Sequence, residues 1–523
     1  MRKFNTTGLC MPDEDYMVDI TGKLEKIKEL VQEKSYFAIN RGRQYGKTTT
    51  LVHLQGFLEG EYIVISLSFE GLGEESFADS ENFCQEFLKL ATSALRFSNA
   101  DPEYLKRWLN PEVKDFEGLS RHISELCEGM KVVLIIDEVD KITNNNVFLN
   151  FLSMLRHKFL ARKSRKDTTF HSVILAGVYD VKNIKFKLLN EGKYEKQEWE
   201  HKIQNSPWNI AVDFNVEMSF NPDEIATMLV EYEGDYRTGM DVSLISSAIY
   251  EYSKGYPYFV SRICQHIHGH LNQEWTALGV KKAVGIILKE DNELFKDMSK
   301  NMESHQPLYE LLYGVLVLGR RIEFNYDVPT VKMAAMYGYI QSGIEVSYVK
   351  VANPIFEMRL LNYFVTKDLL EKPPVLSNVL ASEIVQGGKF NMQLCLEKFG
   401  DFFNREIFPT KDKKLLELQY RLSFMSYLKP LLNGSGFMHP ESQLADERRM
   451  DLVVDFGQEQ FIIELKRVFS EKDRVDAFTQ LMGYMELKGA MVGYLLTFDF
   501  RQKAAPKSQW HDMNGRKILE VNI

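Results

Sequence analysis

The chain reads as an α/β protein: two separate α/β units with a helical stretch between them. Three observations carry this reading. Over residues 1–220 short apolar runs alternate with helical patterns, as in a parallel sheet built with crossover helices. Two of those runs, Val-Val-Leu-Ile-Ile at 132–136 and Val-Ile-Leu-Ala at 173–176, are continuously apolar, as strands covered on both faces must be. The best linker signal, Glu371-Lys372-Pro373-Pro374, precedes a last stretch with its own strand and helix pattern.

In chain order, strands are expected at 36–40, 62–69, 132–137, 172–177 and about 210–220. At Asn221-Pro222-Asp223-Glu224 the pattern turns helical, with Asn221 as N-cap, Pro222 in the first turn and carboxylates beside it. A helical lid is assigned to 221–300. Residues 301–375 mix short helices with a strand-like segment at 345–352, a size that suits a winged-helix-type module, and 376–523 form the second α/β unit. A chain of 523 residues is expected to divide into about three or four such domains.

Bulk properties narrow the function classes. Met1-Arg2-Lys3-Phe4 runs into polar residues, unlike a cleavable signal, and no apolar run approaches bilayer length, so the expected location is cytoplasmic. Cys10, Cys84, Cys127, Cys264 and Cys395 stand singly, with no C-x-x-C pair to suggest a zinc ribbon or a disulfide framework. A net charge of −9 argues against coating nucleic acid by bulk electrostatics. A phosphate backbone would need a local basic surface, from Lys411, Lys413 and Lys414 or from Arg448, Arg449, Lys466 and Arg467; for the lysine group, ordinary solvated charge is the simpler account.

The strand at 36–40 is followed by Arg41-Gly42-Arg43-Gln44-Tyr45-Gly46-Lys47-Thr48-Thr49 and then a helical run through Leu51, Leu54 and Leu58. A strand, a tight loop and a helix N-terminus surround a polyphosphate with backbone N–H groups and the positive end of the helix dipole. Lys47 is assigned to the β/γ-phosphates and the Thr48 hydroxyl to Mg²⁺. The usual pattern has glycine at position 41, where this chain has Arg41 and places Gly42 next to it. Gly-Lys-Thr alone also fits a chance loop. The second element decides: the apolar strand 132–136 ends in Asp137-Glu138, with Asp140 beyond, and burial does not explain two adjacent carboxylates at a strand's C-terminal edge. That edge is where open α/β sheets bind ligands. Asp137 is assigned to the Mg²⁺ shell and Glu138 to polarising the water that attacks the γ-phosphate.

With these residues in place, a resemblance becomes specific. The 41–50 loop, the Asp137-Glu138 strand and Ser206-Pro207-Trp208-Asn209-Ile210-Ala211 resemble the AAA-ATPase-like group of prokaryotic proteins, close to the archaeal-type and STAND-type P-loop ATPases. Gly255-Tyr256-Pro257-Tyr258 resembles that group's Gly-x-Pro motif, which places Pro257 near the nucleotide, and Val351-Ala352-Asn353-Pro354-Ile355-Phe356 resembles the end of its winged-helix module. The resemblance covers about residues 1–375 and implies an ATP-dependent conformational switch more than a fast motor. It assigns no arginine finger; Arg262 follows the Gly-x-Pro motif and fits a surface charge equally well.

In the last unit, 452–456, Gly457-Gln458 and 459–466 read as a β-hairpin whose two-residue loop begins with glycine, as a type II′ turn requires. That register pairs Phe456 with Glu459 and, counted outward, Asp451 with Glu464. Directly opposed residues share a sheet face, with Cβ atoms about 5 Å apart. Lys466 lies on the same face, while Leu452, Val454, Phe461 and Ile463 make a core on the other. Two such carboxylates repel unless a cation lies between them, and Mg²⁺ accepts oxygen ligands at about 2.1 Å. Lys466 would orient the attacking water, although a plain salt bridge also accounts for it. Asp451 with Glu464-Leu465-Lys466 resembles the catalytic set of the PD-(D/E)XK nuclease superfamily, and the fit extends to the small nuclease-like domain often fused to AAA-ATPase-like modules. Arg449-Met450-Asp451 resembles its Arg-x-Asp. Glu417, with Tyr420, matches its additional acidic position, and Gln480 and Tyr484 match its Gln-x-x-x-Tyr; a pair four apart on one helix face also suits ordinary helix surface.

His266, His268 and His270 lack a third ligand nearby in sequence and are set aside as a metal site. No G-x-S-x-G anchors Ser/His/Asp catalysis. The expected protein is a cytoplasmic ATP-binding, slowly hydrolysing switch coupled to a Mg²⁺-dependent nuclease domain, with ATP and Mg²⁺ as cofactors, DNA or RNA as partner and no membrane. The competing reading is an ATP-regulated interaction protein, driven to bind partners or form a homo-oligomer, whose last domain is a scaffold. A helicase- or transposition-type motor is the third and least supported.

Overall fold

The computed structural model describes residues 2–98, 100–139, 146–177, 208–318, 320–342, 347–371, 382–404, 417–432, 436–439, 452–457, 459–468, 470–498 and 507–523. By packing the chain divides into two units, Met1–Trp275 with Met333–Gly338, and Thr276–Lys332 with Tyr339–Ile523. Asp140, Ser206, Pro207, Pro373, Pro374, Lys411, Lys413, Lys414, Arg448, Arg449 and Asp451 lie outside the described residues.

The first unit is built on a parallel sheet of β1 (Tyr36–Asn40), β2 (Ile63–Ser68), β3 (Val132–Asp137) and β4 (Ser172–Gly177), in the order β1-β4-β3-β2. Its strands are largely apolar because alternate residues serve two cores. Tyr36, Ile65, Leu134 and Val173 face the helices Ser80–Leu95, Pro102–Trp108, Phe116–Cys127 and Asn146–Lys163 on one side. Phe37, Val64, Val133 and Ile174 face Thr21–Gln32 and Lys47–Leu58 on the other.

The stretch at 210–220 departs from expectation. It makes one bridge, Val212 to Phe37, and no regular strand. The ladder stops because side chains take its carbonyls: Arg41 donates to Val216 O at 3.0 Å, and Lys23 Nζ donates to Glu217 O and Ser219 O at 3.1 and 3.0 Å. Asn221 then caps the helix Pro222–Tyr236 with a full capping box, its side chain accepting from Glu224 N while Glu224 reaches back to Asn221 N. Helices Val242–Ser253 and Pro257–His270 follow.

The second unit opens with helices Ala277–Ile287, Glu293–Ser304 and Gln306–Leu316. Pro354–Glu371 follows an antiparallel pair, β5 (Ile340–Ser342) and β6 (Val349–Val351). The short pair β7 (Val385–Gln386) and β8 (Lys389–Phe390) and the helices Met392–Phe402 and Glu417–Leu432 lead into a six-stranded sheet. It contains β9 (Gly436–His439), β10 (Leu452–Phe456), β11 (Glu459–Arg467), β12 (Val492–Phe498), β13 (Lys507–Met513) and β14 (Arg516–Asn522), in the order β13-β14-β12-β11-β10-β9. Its centre, β11-β12-β14, is parallel and its edges antiparallel. The crossover helix Glu471–Leu487 packs on Val453, Ile462, Leu495 and Ile518. Both faces of the β10–β11 hairpin are therefore buried, where sequence reading gave a core to one alone.

Helix Ala277–Ile287 is fastened to this sheet. Lys281 Nζ lies 3.3 Å from the buried Asp455 carboxylate, and Phe437 fills a notch that Gly285 leaves open, since a Cβ there would meet its ring at 2.6 Å. No helix among the described residues is long and apolar enough to cross a membrane.

Candidate nucleotide and nuclease-type sites

The loop after β1 forms around two left-handed residues, Gln44 (φ 54°) and Gly46 (φ 73°), and Gly46 caps the helix Lys47–Leu58. Such turns are cheapest at glycine and aim successive N–H groups at one point. Lys47 is nearly buried, and its ammonium donates to Arg41 O and Gly42 O at 3.0 and 2.9 Å. Thr48 Oγ1, in the first turn of the helix Lys47–Leu58, donates at 2.8 Å to Asp137 Oδ2 at the end of β3, although β4 lies between β1 and β3 in the sheet. Asp137 Oδ1 accepts from Glu138 N at 2.8 Å, and Glu138 sits at φ 57°, a costly conformation for a side-chain-bearing residue. A hydroxyl and a carboxylate held in contact fit the oxygen preference and the small shell of Mg²⁺. Arg41, the departure from the usual pattern, donates to Asn40 O and Val216 O and lies over the Phe214 ring, so it braces the loop from the core side.

Beside the loop opens a cleft of about 150 Å³. Gln44, Tyr45, Gly46, Thr49 and Pro257 form one wall. Pro257 reaches Gly46, at 3.9 Å from the position of an added Cβ, and Tyr45 packs edge-on against Tyr256, whose hydroxyl donates to Arg43 O. Burial pushes the Tyr45 phenol above its ordinary pKa.

The opposite wall was missed from sequence. Thr6, Cys10, Met17, Val18 and Ile20 line it, in an N-terminal strap tied at both ends. Cys10 N donates to Thr49 Oγ1 and His53 Nε2 bonds Cys10 O at one end; Tyr16 OH donates to Asp235 and Gln265 Nε2 to Phe4 O at the other. The run Tyr16-Met17-Val18 was visible, but apolar residues ahead of a helix carry no chemical signature. Burial also raises the Cys10 thiol pKa, which keeps it protonated near neutrality.

Arg262 donates to Gln265. His266 and His270 face each other with Nδ1 atoms 3.1 Å apart, and His268 bonds Tyr232 OH at 2.8 Å. Among the described residues no group of three His, Cys, Asp or Glu is placed to hold a metal.

In the C-terminal sheet the register pairs Leu452 with Ile463 and Phe456 with Glu459 across Gly457 (φ 58°). Position 451, which the sequence register sets against Glu464, lies outside the described residues. Glu464 is 3% exposed. Lys466, half-buried, lies 3.5 Å from Gln480 Oε1, at the long end of hydrogen-bond reach. Tyr484, one turn on, is buried. Glu417 begins the helix Glu417–Leu432, in which buried Tyr420 stacks on Phe498. Sequence reading also missed a charged cluster on the Glu464 face. Glu464, Leu495 and Glu520 fall in one row of the register. Buried Glu520 accepts from Arg474 Nε at 2.8 Å and contacts His511 Nε2 at 3.0 Å.

A family model described as AAA-like domain matches residues 14–283, just over half the chain. The chain belongs to this AAA-like family. A second model, PD-(D/E)XK nuclease superfamily, matches residues 437–509, so this AAA-like protein carries a C-terminal domain of that superfamily. No curated protein matches it. Among solved structures it is similar to the Walker-type ATPase PABY2304 of Pyrococcus abyssi, at 14% identity over 68% of this chain and 99% of that one, with a TM-score of 0.46. The ORC2 protein of Aeropyrum pernix in ADPNP–ADP complexes matches at 13% identity over 70% and 98%, with a TM-score of 0.37. Its ADP form matches at 13% over 71% and 97%, with a TM-score of 0.33.

Proposed function

We propose that this AAA-like protein is an ATP-dependent conformational switch that hydrolyses slowly and governs a Mg²⁺-dependent nuclease-type domain acting on DNA or RNA. The observation that carries the reading is Thr48 Oγ1, at the start of the helix Lys47–Leu58, held 2.8 Å from the Asp137 carboxylate at the end of β3. Lys47 and the loop amides of 42–49 would bind the phosphates, Thr48 and Asp137 would hold Mg²⁺, Glu138 would orient the attacking water, and Pro257 would close the cleft. Bound Mg²⁺ would screen charge on the phosphate oxygens. In the C-terminal sheet Asp451 and Glu464 would hold a second Mg²⁺ and Lys466 would position water, with Glu417, Gln480 and Tyr484 as accessory residues. The proposed division is 1–220 ATPase core, 221–300 lid, 301–375 winged-helix module and 376–523 nuclease-like domain, in a cytoplasmic protein whose cysteines stand single.

A cleavage panel of single- and double-stranded DNA and RNA, with and without ATP and Mg²⁺, tests both halves. Expected is metal-dependent cleavage that Glu464→Ala abolishes and that loses its ATP response in Lys47→Ala. Equal cleavage by Glu464→Ala and wild type would remove the nuclease assignment. The near-complete burial of Glu464 favours a second reading, in which the domain is a scaffold and ATP controls partner binding or self-association. No metal-dependent cleavage of any substrate, with nucleotide binding intact, would establish it.

A further inference from the structure

The phosphate loop makes one contact that phosphate chemistry does not call for. Gly42 lies backbone to backbone against Tyr337 and Gly338: a Cβ at position 42 would stand 2.7 Å from the Tyr337 carbonyl oxygen and 3.7 Å from Gly338 Cα. Seen from the other side, a Cβ on Gly338 would lie 3.9 Å from Gly42 Cα. The partner segment is itself set firmly. Tyr337 N donates to Met333 O and Gly338 N to Ala335 O, at 3.0 and 2.9 Å, and Gly338 turns the chain at φ 75°.

Gly42 is thus caught between two groups. Its carbonyl accepts from Lys47 Nζ, and its Cα face abuts Tyr337. Arg41, fixed to Asn40 O and Val216 O, cannot yield on the core side. A polyphosphate competes with the Gly42 carbonyl for the Lys47 ammonium, because a charge-assisted bond to phosphate is the stronger one. When that bond is redistributed, the residue free to adjust is Gly42. Its contact has no side chain to absorb a shift, and close-packed interiors transmit such strain.

We infer that the Tyr337–Gly338 backbone is a positioning element of the phosphate loop, standing in for the turn that glycine at position 41 usually makes, and that nucleotide occupancy alters the segment Met333–Gly338. This rests on the nucleotide-binding reading above. The segment packs with the first unit, while the residues before and after it pack with the second. Tyr339, next in the chain, accepts from Ala352 N at 2.8 Å and bonds Asn301 through its hydroxyl at 3.0 Å, so the backbone that leaves the segment is held in place.

Hydrogen exchange of the full chain, with and without Mg-ATP, tests this beside calorimetric titration of the same nucleotide. Expected is a severalfold change in amide exchange over 333–339 on binding. Gly338→Ala, which touches no phosphate, should weaken nucleotide binding about tenfold. A purely structural role for Gly338 would lower the melting temperature and leave affinity alone. Binding with unchanged exchange at 333–339, or wild-type affinity in Gly338→Ala, overturns the inference and leaves the nucleotide site standing. Failure of the wild type to bind Mg-ATP overturns that site as well.

Discussion

Lys47 is the residue on which the nucleotide reading concentrates. It is nearly buried and donates to two carbonyls of the loop, so its removal deletes an ammonium held inside the loop. Lys47→Ala should weaken Mg-ATP binding by about 2–5 kcal/mol, read by calorimetry, with the fold intact by circular dichroism. His171 makes a different prediction. Burial, with the positive charges of Lys34, Arg162 and Lys131, holds its pKa down to about 4 from 6.5. The folded state therefore favours the neutral ring. Its contribution is complete above pH 6.5 and declines as pH falls towards 4, because the unfolded chain then binds the proton more readily. His171→Gln should flatten the loss of stability over that window in pH-resolved denaturant melts. At this scale the approach of Thr48 to Asp137 was legible because the proposed phosphate and metal chemistry asks for such side chains at fixed distances from a strand end. The reason for Gly42 was not: its partner, Tyr337, is remote in sequence, and no local pattern announces a backbone contact.

Among the elements, the contact of Phe220 with the turn ahead of helix Pro257–His270 is the most exacting. Gly255 sits at φ 75° and exchanges a backbone hydrogen bond with Phe220, and a Cβ there would fall 1.9 Å from Phe220 O. No rotamer relieves a clash with backbone. Gly255→Ala should destabilise the protein by about 3 kcal/mol or more and displace Pro257, so both the melting temperature and nucleotide affinity should fall; an unchanged affinity would separate the lid from the site. Asn221→Ala, which removes a cap without a clash, should cost only about 1 kcal/mol. Strands β1, β3 and β4 were readable because strands buried on both faces leave unbroken apolar runs. The stretch 210–220 was misread because its alternation, with Val216 and Met218 inward, imitates a strand, while the decisive fact is that Arg41 and Lys23 occupy its carbonyls. The β10–β11 register was readable from Gly457 alone, since a two-residue loop fixes every pair that follows. The burial of its second face was not, because the covering helix, Glu471–Leu487, comes later in the chain.

For the molecule as a whole, packing and family membership draw different lines. The AAA-like match runs to residue 283, yet the stretch beginning at Thr276 packs with the C-terminal sheet, through Lys281 on Asp455 and Gly285 under Phe437. The last helix of the ATPase region is thus part of the nuclease-type body, and no hydropathy pattern could reveal it, because the contact needs a glycine notch and a buried ion pair from opposite ends of the unit. Two packing units imply that heat unfolding is not a single two-state event. A ligand confined to the first unit then stabilises that unit alone, by about 2.7 kcal/mol at a hundredfold excess over its dissociation constant. For a unit of this size that corresponds to about 5 °C or somewhat more in the midpoint of its transition. Scanning calorimetry with Mg-ATP should show that shift in wild type and in Glu464→Ala, whose substitution lies in the second unit, and should show none in Lys47→Ala. An equal shift of every transition in wild type would mean that the units melt as one, and a shift retained by Lys47→Ala would place the nucleotide elsewhere.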